Sequence, residues 1–138
     1  MPAYNAEKTL KKTYEEIPKE IVDDIILTDD ASQDKTVKLA QELNIKTFVH
    51  TENRGYGGNQ KTCYQAALES GADIVIMLHP DYQYNPKLII PMTSMIAEGV
   101  FDAVIASRIL GNKAMMRGMP LYKYISNRVL TSAENLII

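Results

Sequence analysis

The sequence contains one cysteine, Cys63, among its 138 residues. A single cysteine excludes an intramolecular disulfide and a structural zinc site built from cysteines. We interpret Cys63 as a small apolar residue on a helix. The lack of disulfides fits a reducing compartment, and we expect a cytoplasmic protein.

Long apolar runs are also lacking, and none approaches the ~20 residues needed to cross a bilayer. The opening residues, Met-Pro-Ala-Tyr-Asn, have neither the basic segment nor the apolar stretch of a signal peptide. We therefore expect no membrane-spanning helix and no secretory leader. Association with the inner face of a membrane would depend on sequence after Ile138.

The chain has little net charge, with 15 Lys and Arg against 17 Asp and Glu. This balance gives no bulk attraction to nucleic acid or to an anionic membrane, so no nucleic-acid partner is expected. The length and the apolar fraction of 46% fit one globular domain over residues 1–138.

Apolar runs of strand length alternate with segments of helical period. This alternation is typical of a mostly parallel α/β sheet with flanking crossover helices. The predicted strands are residues 24–28, 45–50, 73–78 and 100–106, and a long helix is predicted from residue 120 onward. The run at 73–78 is apolar throughout, as expected of a strand buried on both faces.

The predicted helices have sequence signals at their ends. Asn5 and Ser32 are the predicted N-caps of the first two helices. Asn44 and Gly71 are predicted to end the second and third helices in a left-handed conformation. A proline, either Pro86 or Pro91, is expected to begin the fourth helix.

Three polar clusters follow predicted strands, at residues 28–32, 53–59 and 79–83. Ligands of an open parallel sheet bind at the carboxyl ends of its strands, so we expect one site formed by all three clusters. In the first cluster, Asp29 or Asp30 can accept from ribose hydroxyls or a base N–H. The competing interpretation is that they only cap the following helix and favour its dipole.

The second cluster carries Gly55, Gly57 and Gly58 before a helix. Glycines let the backbone approach a ligand closely, and a helix N-terminus favours anions. The cluster matches neither the dinucleotide-binding pattern nor a Walker A loop, and alone it would be interpreted as an ordinary loop.

The third cluster places His79 and Asp81 two residues apart, on the same side of an extended segment. Both are therefore candidate ligands of one divalent ion. A carboxylate together with phosphate oxygens suits Mg²⁺ or Mn²⁺, and an imidazole favours Mn²⁺. A strand-end histidine bonded only to backbone is an equally good interpretation of His79.

The last third of the chain is locally basic. Guanidinium groups suit bidentate phosphate recognition, and Arg108 and Arg128 are the candidates for that role. The other basic residues of this region are interpreted as solvated surface.

The order of these clusters resembles that of family 2 glycosyltransferases, which have a GT-A fold, and most closely the dolichol-phosphate mannosyltransferase-like branch. Residues 2–5 (Pro-Ala-Tyr-Asn) resemble the family's Pro-x-Tyr-Asn, and 29–36 (Asp-Asp-Ala-Ser-Gln-Asp-Lys-Thr) its Asp-Asp-Gly-Ser-x-Asp-x-Thr. Residues 53–55 (Asn-Arg-Gly) resemble Asn-x-Gly, and 79–83 (His-Pro-Asp-Tyr-Gln) stand where the family has Asp-x-Asp-x-Gln. Ser107-Arg108 and Asn127-Arg128 resemble segments of the lipid-phosphate branch.

The resemblance implies a nucleotide-diphospho-sugar donor that contacts Pro2, Tyr4 and one of Asp29 or Asp30. It implies Mg²⁺ or Mn²⁺ bridging the diphosphate to Asp81, and direct displacement with inversion. The implied acceptor is a lipid phosphate or a glycan. Arg108 and Arg128 would position a phosphate acceptor, which needs little help from a general base.

The sequence departs from the family at several positions. His79 replaces the first aspartate of Asp-x-Asp, Ala6 stands where the family has glutamate, and Ala31 replaces a glycine. The resemblance also implies an α/β sheet truncated at both ends, with the first strand before Pro2 missing. We therefore expect little transferase activity and a poorly stable monomer, unless a second copy (a homo-oligomer) or a rearranged segment fills the gap.

Two other classes of function remain open. A sugar-nucleotide nucleotidyltransferase shares the architecture but needs a glycine-rich loop with Lys or Arg after the first strand, where residues 3–6 are Ala-Tyr-Asn-Ala. A non-catalytic module that only binds the donor is the second alternative.

Overall fold

The computed structural model of the protein describes residues 1–107 and 121–137. They form two compact units, Met1–Val104 and Ile105–Ile138. The strands are β1 Pro2–Ala3, β2 Ile26–Asp29 and β3 Lys46–Val49. The helices are α1 Leu10–Glu15, α2 Thr36–Glu42, α3 Gly55–Glu69, a 3-10 turn Pro86–Leu88, α4 Ile89–Ala97 and, in the second unit, α5 Leu121–Ile137.

The strands form a three-stranded parallel sheet in the order β1-β2-β3. Ala3 is in register with Asp29, and Asp29 with Val49, so the three strands end at the same edge. The first strand is thus present as two residues rather than missing, and it pairs with β2 on one side. The parallel α/β class predicted from the alternation is confirmed.

The core lies where β1, β2 and the first two helices meet. Its largest fully buried apolar side chains are Leu10 and Leu27, each 0% exposed. The other buried residues of the cluster are Met1, Ala3, Ala6, Ile17, Ala40, Ile45, Leu78 and Ile89. The core therefore combines residues of the strands with residues of α1, α2 and the loops beside them.

Two of the predicted strands do not form. Residues 73–78 and 100–106 lack strand pairing, and in the first run only Leu78 is buried. A parallel strand forms only beside a neighbour that offers backbone partners, and the two residues of β1 offer very few. An apolar run does not by itself supply a partner strand.

The predicted N-caps are also wrong. α1 begins after Thr9 and α2 after Lys35. Asn5 and Ser32 instead join the loop after β1 to the loop after β2. Ser32 Oγ accepts from Asn5 N at 2.8 Å, and Asn5 Oδ1 accepts from Gln33 N at 2.9 Å. The helix ends were predicted correctly: Asn44 has φ 55° and Gly71 φ 78°. Pro86 begins the 3-10 turn before α4, and the long helix is α5.

Ala31 is held in the left-handed region, with φ 60°. This conformation brings the Cβ of an L-residue too close to the following carbonyl and costs about 1–2 kcal/mol, whereas glycine adopts it freely. The glycine that the family has at this position therefore has a direct backbone explanation.

We predict that Ala31→Gly raises the free energy of unfolding by about 1 kcal/mol, because the strain at this turn is removed. The same substitution at Ala67, inside α3, is expected to lower it by about 1 kcal/mol. Urea unfolding of the two variants measures both effects, and a loss of stability in Ala31→Gly would contradict the assignment of strain.

Candidate functional site

The three polar clusters meet at one cleft of about 290 Å³ in the first unit. One wall comes from the loop after β1 and from Asp30, a second from the start of α3, and a third from the loop after residue 78. The lining residues are Pro2, Ala3, Tyr4, Ala6, Asp30, Asn53, Gly55, Tyr56, Asn59, His79, Pro80 and Asp81. The structure therefore brings residues of all three clusters together at this cleft.

In each of the first two clusters, only some of the candidate residues line the cleft. Asp30 lines the cleft, whereas Asp29 is 0% exposed and its Oδ2 accepts from Ser32 N at 2.8 Å. Asp29 thus holds the turn after β2. Gly55 lines the cleft with φ 73°, whereas Gly57 lies in the first turn of α3 without lining the cleft.

Asp30 has a dense set of hydrogen bonds. Its Oδ1 accepts from the backbone N of Arg54 at 2.9 Å and lies 2.8 Å from Nδ1 of His50. Burial opposes ionisation of the carboxyl, but these hydrogen bonds outweigh it and lower the pKa of Asp30 below its ordinary value. Asp30 is therefore an ionised acceptor in the cleft wall.

His79 is stacked on Tyr56, with ring centroids 5.3 Å apart. Its Nε2 lies 3.2 Å from the Tyr56 hydroxyl, which also accepts from Gln60 Nε2 at 2.8 Å. Burial lowers the pKa of His79, and the charge of Asp81 opposes that shift. The imidazole is thus neutral at pH 7, and one of its nitrogens is already paired.

Asp81 lies in a loop that is held by hydrogen bonds of its neighbouring residues. Its Oδ1 accepts from Gln83 N at 3.0 Å. The next residue, Tyr82, has φ 60°, and its hydroxyl donates to Glu16 Oε1 at 2.6 Å. That hydrogen bond raises the pKa of Tyr82, and the ammonium of Lys12 lies 3.8 Å from the centre of its ring. Tyr82 therefore anchors the turn that carries Asp81.

Two tyrosines flank the cleft with exposed rings. Tyr4 is 54% and Tyr56 65% exposed. Large aromatic faces at the mouth of a cleft suit stacking against a flat or apolar ring face of a ligand. Tyr4 was predicted from the sequence; Tyr56 was not, although it stands among the glycines of the second cluster.

Neither arginine candidate is among the described residues of the first unit. Arg108 is outside the described residues. Arg128 lies on α5, in the second unit, and is exposed. Their assignment to the acceptor stays a prediction.

Sequence reasoning missed two buried polar residues at the site. His50 directly follows β3 at the ligand-binding edge of the sheet, which was an available signal. Asn59 was not distinguished within its cluster; its Nδ2 donates to the carbonyl of Ala3 at 3.2 Å. Its Oδ1 is buried and has no hydrogen-bond partner among the described residues.

Comparison with known proteins gives the family. The family model of glycosyl transferase family 2 matches residues 1–136. The chain belongs to glycosyl transferase family 2. Its fold is of the GT-A type, and among solved structures it is similar to TarS 1–349 of S. aureus, with a TM-score of 0.56 and 19% identity over 80% of this chain and 38% of that one.

The relatives point to the dolichol-phosphate branch. The chain is 31% identical to the UDP-N-acetylglucosamine–dolichyl-phosphate N-acetylglucosaminyltransferase of Methanococcus voltae, over 92% of this chain and 57% of that protein. It is 33% identical to an uncharacterized protein of Methanocaldococcus jannaschii, over 92% and 52%. It is 23% identical to the dolichol-phosphate mannosyltransferase of Pyrococcus furiosus, over 93% and 37%. The chain thus spans about half the length of the first two relatives and 37% of the third. No helix among the described residues has the length and apolar character that a membrane span requires.

We predict that Asp81→Asn lowers the pKa of His79 further, because it removes the negative charge that opposes the effect of burial. The imidazole resonances report this directly in an NMR titration, since the chain has only 2 histidines. Asp23→Asn, at an exposed position, is the control and should leave the pKa of His79 unchanged. An unchanged pKa in Asp81→Asn would mean that the two side chains do not interact.

Proposed function

We propose that the chain is the donor-binding domain of an inverting glycosyltransferase. The cleft would take a nucleotide-diphospho-sugar, with metal assistance, and the sugar would pass to a polyprenyl phosphate. Membership of family 2 supports the transferase activity. The acceptor is suggested by the relatives of Methanococcus voltae and Pyrococcus furiosus, whose names include dolichyl or dolichol phosphate.

The observation that carries the metal part of the proposal is the charge of the cleft. Asp30 and Asp81 line it, and no Lys or Arg of the described residues does. A diphosphate brought beside two carboxylates is repelled unless a cation intervenes. The first turn of α3, which contributes Gly55 and Tyr56 to the wall, adds only the partial positive charge of a helix N-terminus.

The donor set fits a divalent ion that is held partly by its substrate. The described residues contain no group of three or more His, Cys, Asp or Glu that could hold a metal. Mg²⁺ is commonly bound by one or two carboxylates together with substrate phosphates and water, and Asp81 can supply such a carboxylate. His79 stays the predicted second ligand through Nδ1, because its Nε2 pairs with Tyr56. When bound, the ion supplies Lewis-acid stabilisation of the departing nucleoside diphosphate.

The protein's own residues would bind and orient the donor. Asp30 accepts from a ribose hydroxyl or a base N–H, and Tyr4 and Tyr56 offer their rings to the base or the sugar. A phosphate oxygen of the acceptor then attacks the anomeric carbon as the nucleoside diphosphate leaves from the opposite face. The acceptor is already anionic, so no strong general base is required, and Arg108 and Arg128 would align it.

One observation favours a second candidate, a module that binds the donor without turning it over. His79 stands in place of a carboxylate and one of its nitrogens is occupied by Tyr56, which weakens the metal site. The nucleotidyltransferase alternative has less support, because the loop after β1 brings no Lys or Arg into the cleft.

We predict that UDP- or GDP-sugars bind to the chain with an affinity that rises on addition of Mn²⁺, as measured by calorimetry. Asp81→Ala should reduce the metal-dependent part of the affinity at least tenfold, because loss of an outer-shell partner alone costs about 10–100-fold and Asp81 would bind the ion directly. Asp23→Ala is the matched control. Equal affinity with and without Mn²⁺ would contradict the metal role, and transfer assays with a polyprenyl phosphate separate the transferase from the binding module.

A further inference from the structure

Behind the cleft, a chain of hydrogen bonds runs from Asp30 into the protein. His50 Nδ1 lies 2.8 Å from Asp30 Oδ1, and His50 Nε2 lies 3.0 Å from Thr62 Oγ1. Asp30 is 3% and His50 7% exposed. The three residues come from the end of β2, the end of β3 and the second turn of α3, so this series of hydrogen bonds connects three separate elements.

The hydrogen positions in this series of hydrogen bonds can be assigned from the chemistry of Asp30, His50 and Thr62. An ionised carboxylate only accepts, so Nδ1 of His50 carries a hydrogen toward Asp30. Thr62 Oγ1 lies within reach of both His50 Nε2 and the Gly58 carbonyl, at 3.0 and 3.3 Å. Its single hydrogen can turn to either, and in both cases Nε2 has a partner. Thr62 therefore fixes the ring without fixing its charge.

We infer that His50, held by Thr62, is a positioning residue that keeps Asp30 ionised and in one orientation for a hydroxyl or N–H of the bound nucleoside. This inference rests on the proposed function, since it concerns the donor in the same cleft. The contacts from His50 and Arg54 both end on Oδ1 of Asp30. Oδ2 keeps lone pairs with which a ligand can bond.

The need for such a residue follows from the burial of Asp30. Burial alone raises the pKa of this carboxyl, and the hydrogen bond from His50 is the largest opposing effect, ahead of that from Arg54 N. Without His50, the pKa of Asp30 is expected to rise, and a protonated carboxyl loses acceptor capacity. The other titratable groups that line the cleft are Tyr4, Tyr56, His79 and Asp81. A His50 substitution removes none of these side chains.

The first test measures Asp30 without any ligand. Carbon-13 NMR of the aspartate carboxyls should show Asp30 ionised between pH 5 and pH 8 in the wild type. In His50→Ala its pKa should be raised. An unchanged Asp30 titration in His50→Ala would overturn this inference alone, whatever the protein binds.

The second test uses binding. The affinities of UDP and GDP are measured by calorimetry from pH 8 to pH 5, and each variant is compared with the wild type at the same pH. The loss of affinity in His50→Ala should grow as the pH falls, by about tenfold for each pH unit below the raised pKa of Asp30, because protonation of this carboxyl then competes with binding. A loss of equal size at every pH would indicate a purely structural role and overturn the inference.

Thr62 gives a variant pair less able to disturb folding. Thr62→Val has nearly the same shape and removes the hydroxyl, so it should reproduce the pH-dependent loss in weaker form, and Thr62→Ser should restore the wild-type profile. Gln65→Ala, on the exposed part of α3, is the control. A further outcome is that the wild type binds neither UDP nor GDP while the pKa of Asp30 still rises in His50→Ala. That result would contradict the proposed function, and with it the role of His50 in nucleoside binding.

Discussion

The carbonyl of Ala3 is the point on which the site depends. It accepts from Asp30 N at 2.9 Å, which continues the β1–β2 pairing, and from Asn59 Nδ2 at 3.2 Å. One oxygen thus ties the end of β1, the end of β2 and the start of α3 together. The third wall is attached separately, because Thr13 Oγ1 of α1 donates to the carbonyl of Pro80 at 3.3 Å. A buried backbone oxygen that takes two donors leaves little freedom to the segments it joins.

This arrangement explains how a sheet with so short a first strand still forms a defined cleft. Two residues give β1 only a few ladder bonds, yet side chains from other elements extend its contacts. Thr36 Oγ1 accepts from Ala6 N at 2.7 Å, and Asp34 Oδ2 from Glu7 N at 3.1 Å. The loop after β1 is therefore held by the start of α2 as well as by the sheet. Polar side chains here do what additional strand length does in a larger sheet.

The sequence allowed the parallel α/β class, the second and third strands and the convergence of three polar loops to be predicted, because these follow from periodicity and from the rule that strand ends share an edge. It did not reveal that residues 73–78 would lack strand pairing, since pairing depends on a neighbour and not on the run itself. The sequence also did not reveal which of Asp29 and Asp30 lines the cleft and which holds the turn. Adjacent residues of a strand point to opposite faces, and only the register with β1 and β3 decides which face meets the cleft. His50 and Thr62 are 12 residues apart in the chain, so their pairing is a property of the tertiary structure.

The tethered turn at Tyr82 has a consequence for how a ligand would be received. A residue with φ 60° and a hydroxyl bonded to Glu16 is settled in its conformation before any ligand arrives. The neighbouring Asp81 therefore gives up less conformational entropy on association, a loss that otherwise subtracts from the affinity of sites built on loops. In this respect the carboxylate belongs to a preorganised surface, and recognition there would resemble docking onto a rigid template more than closure of a lid.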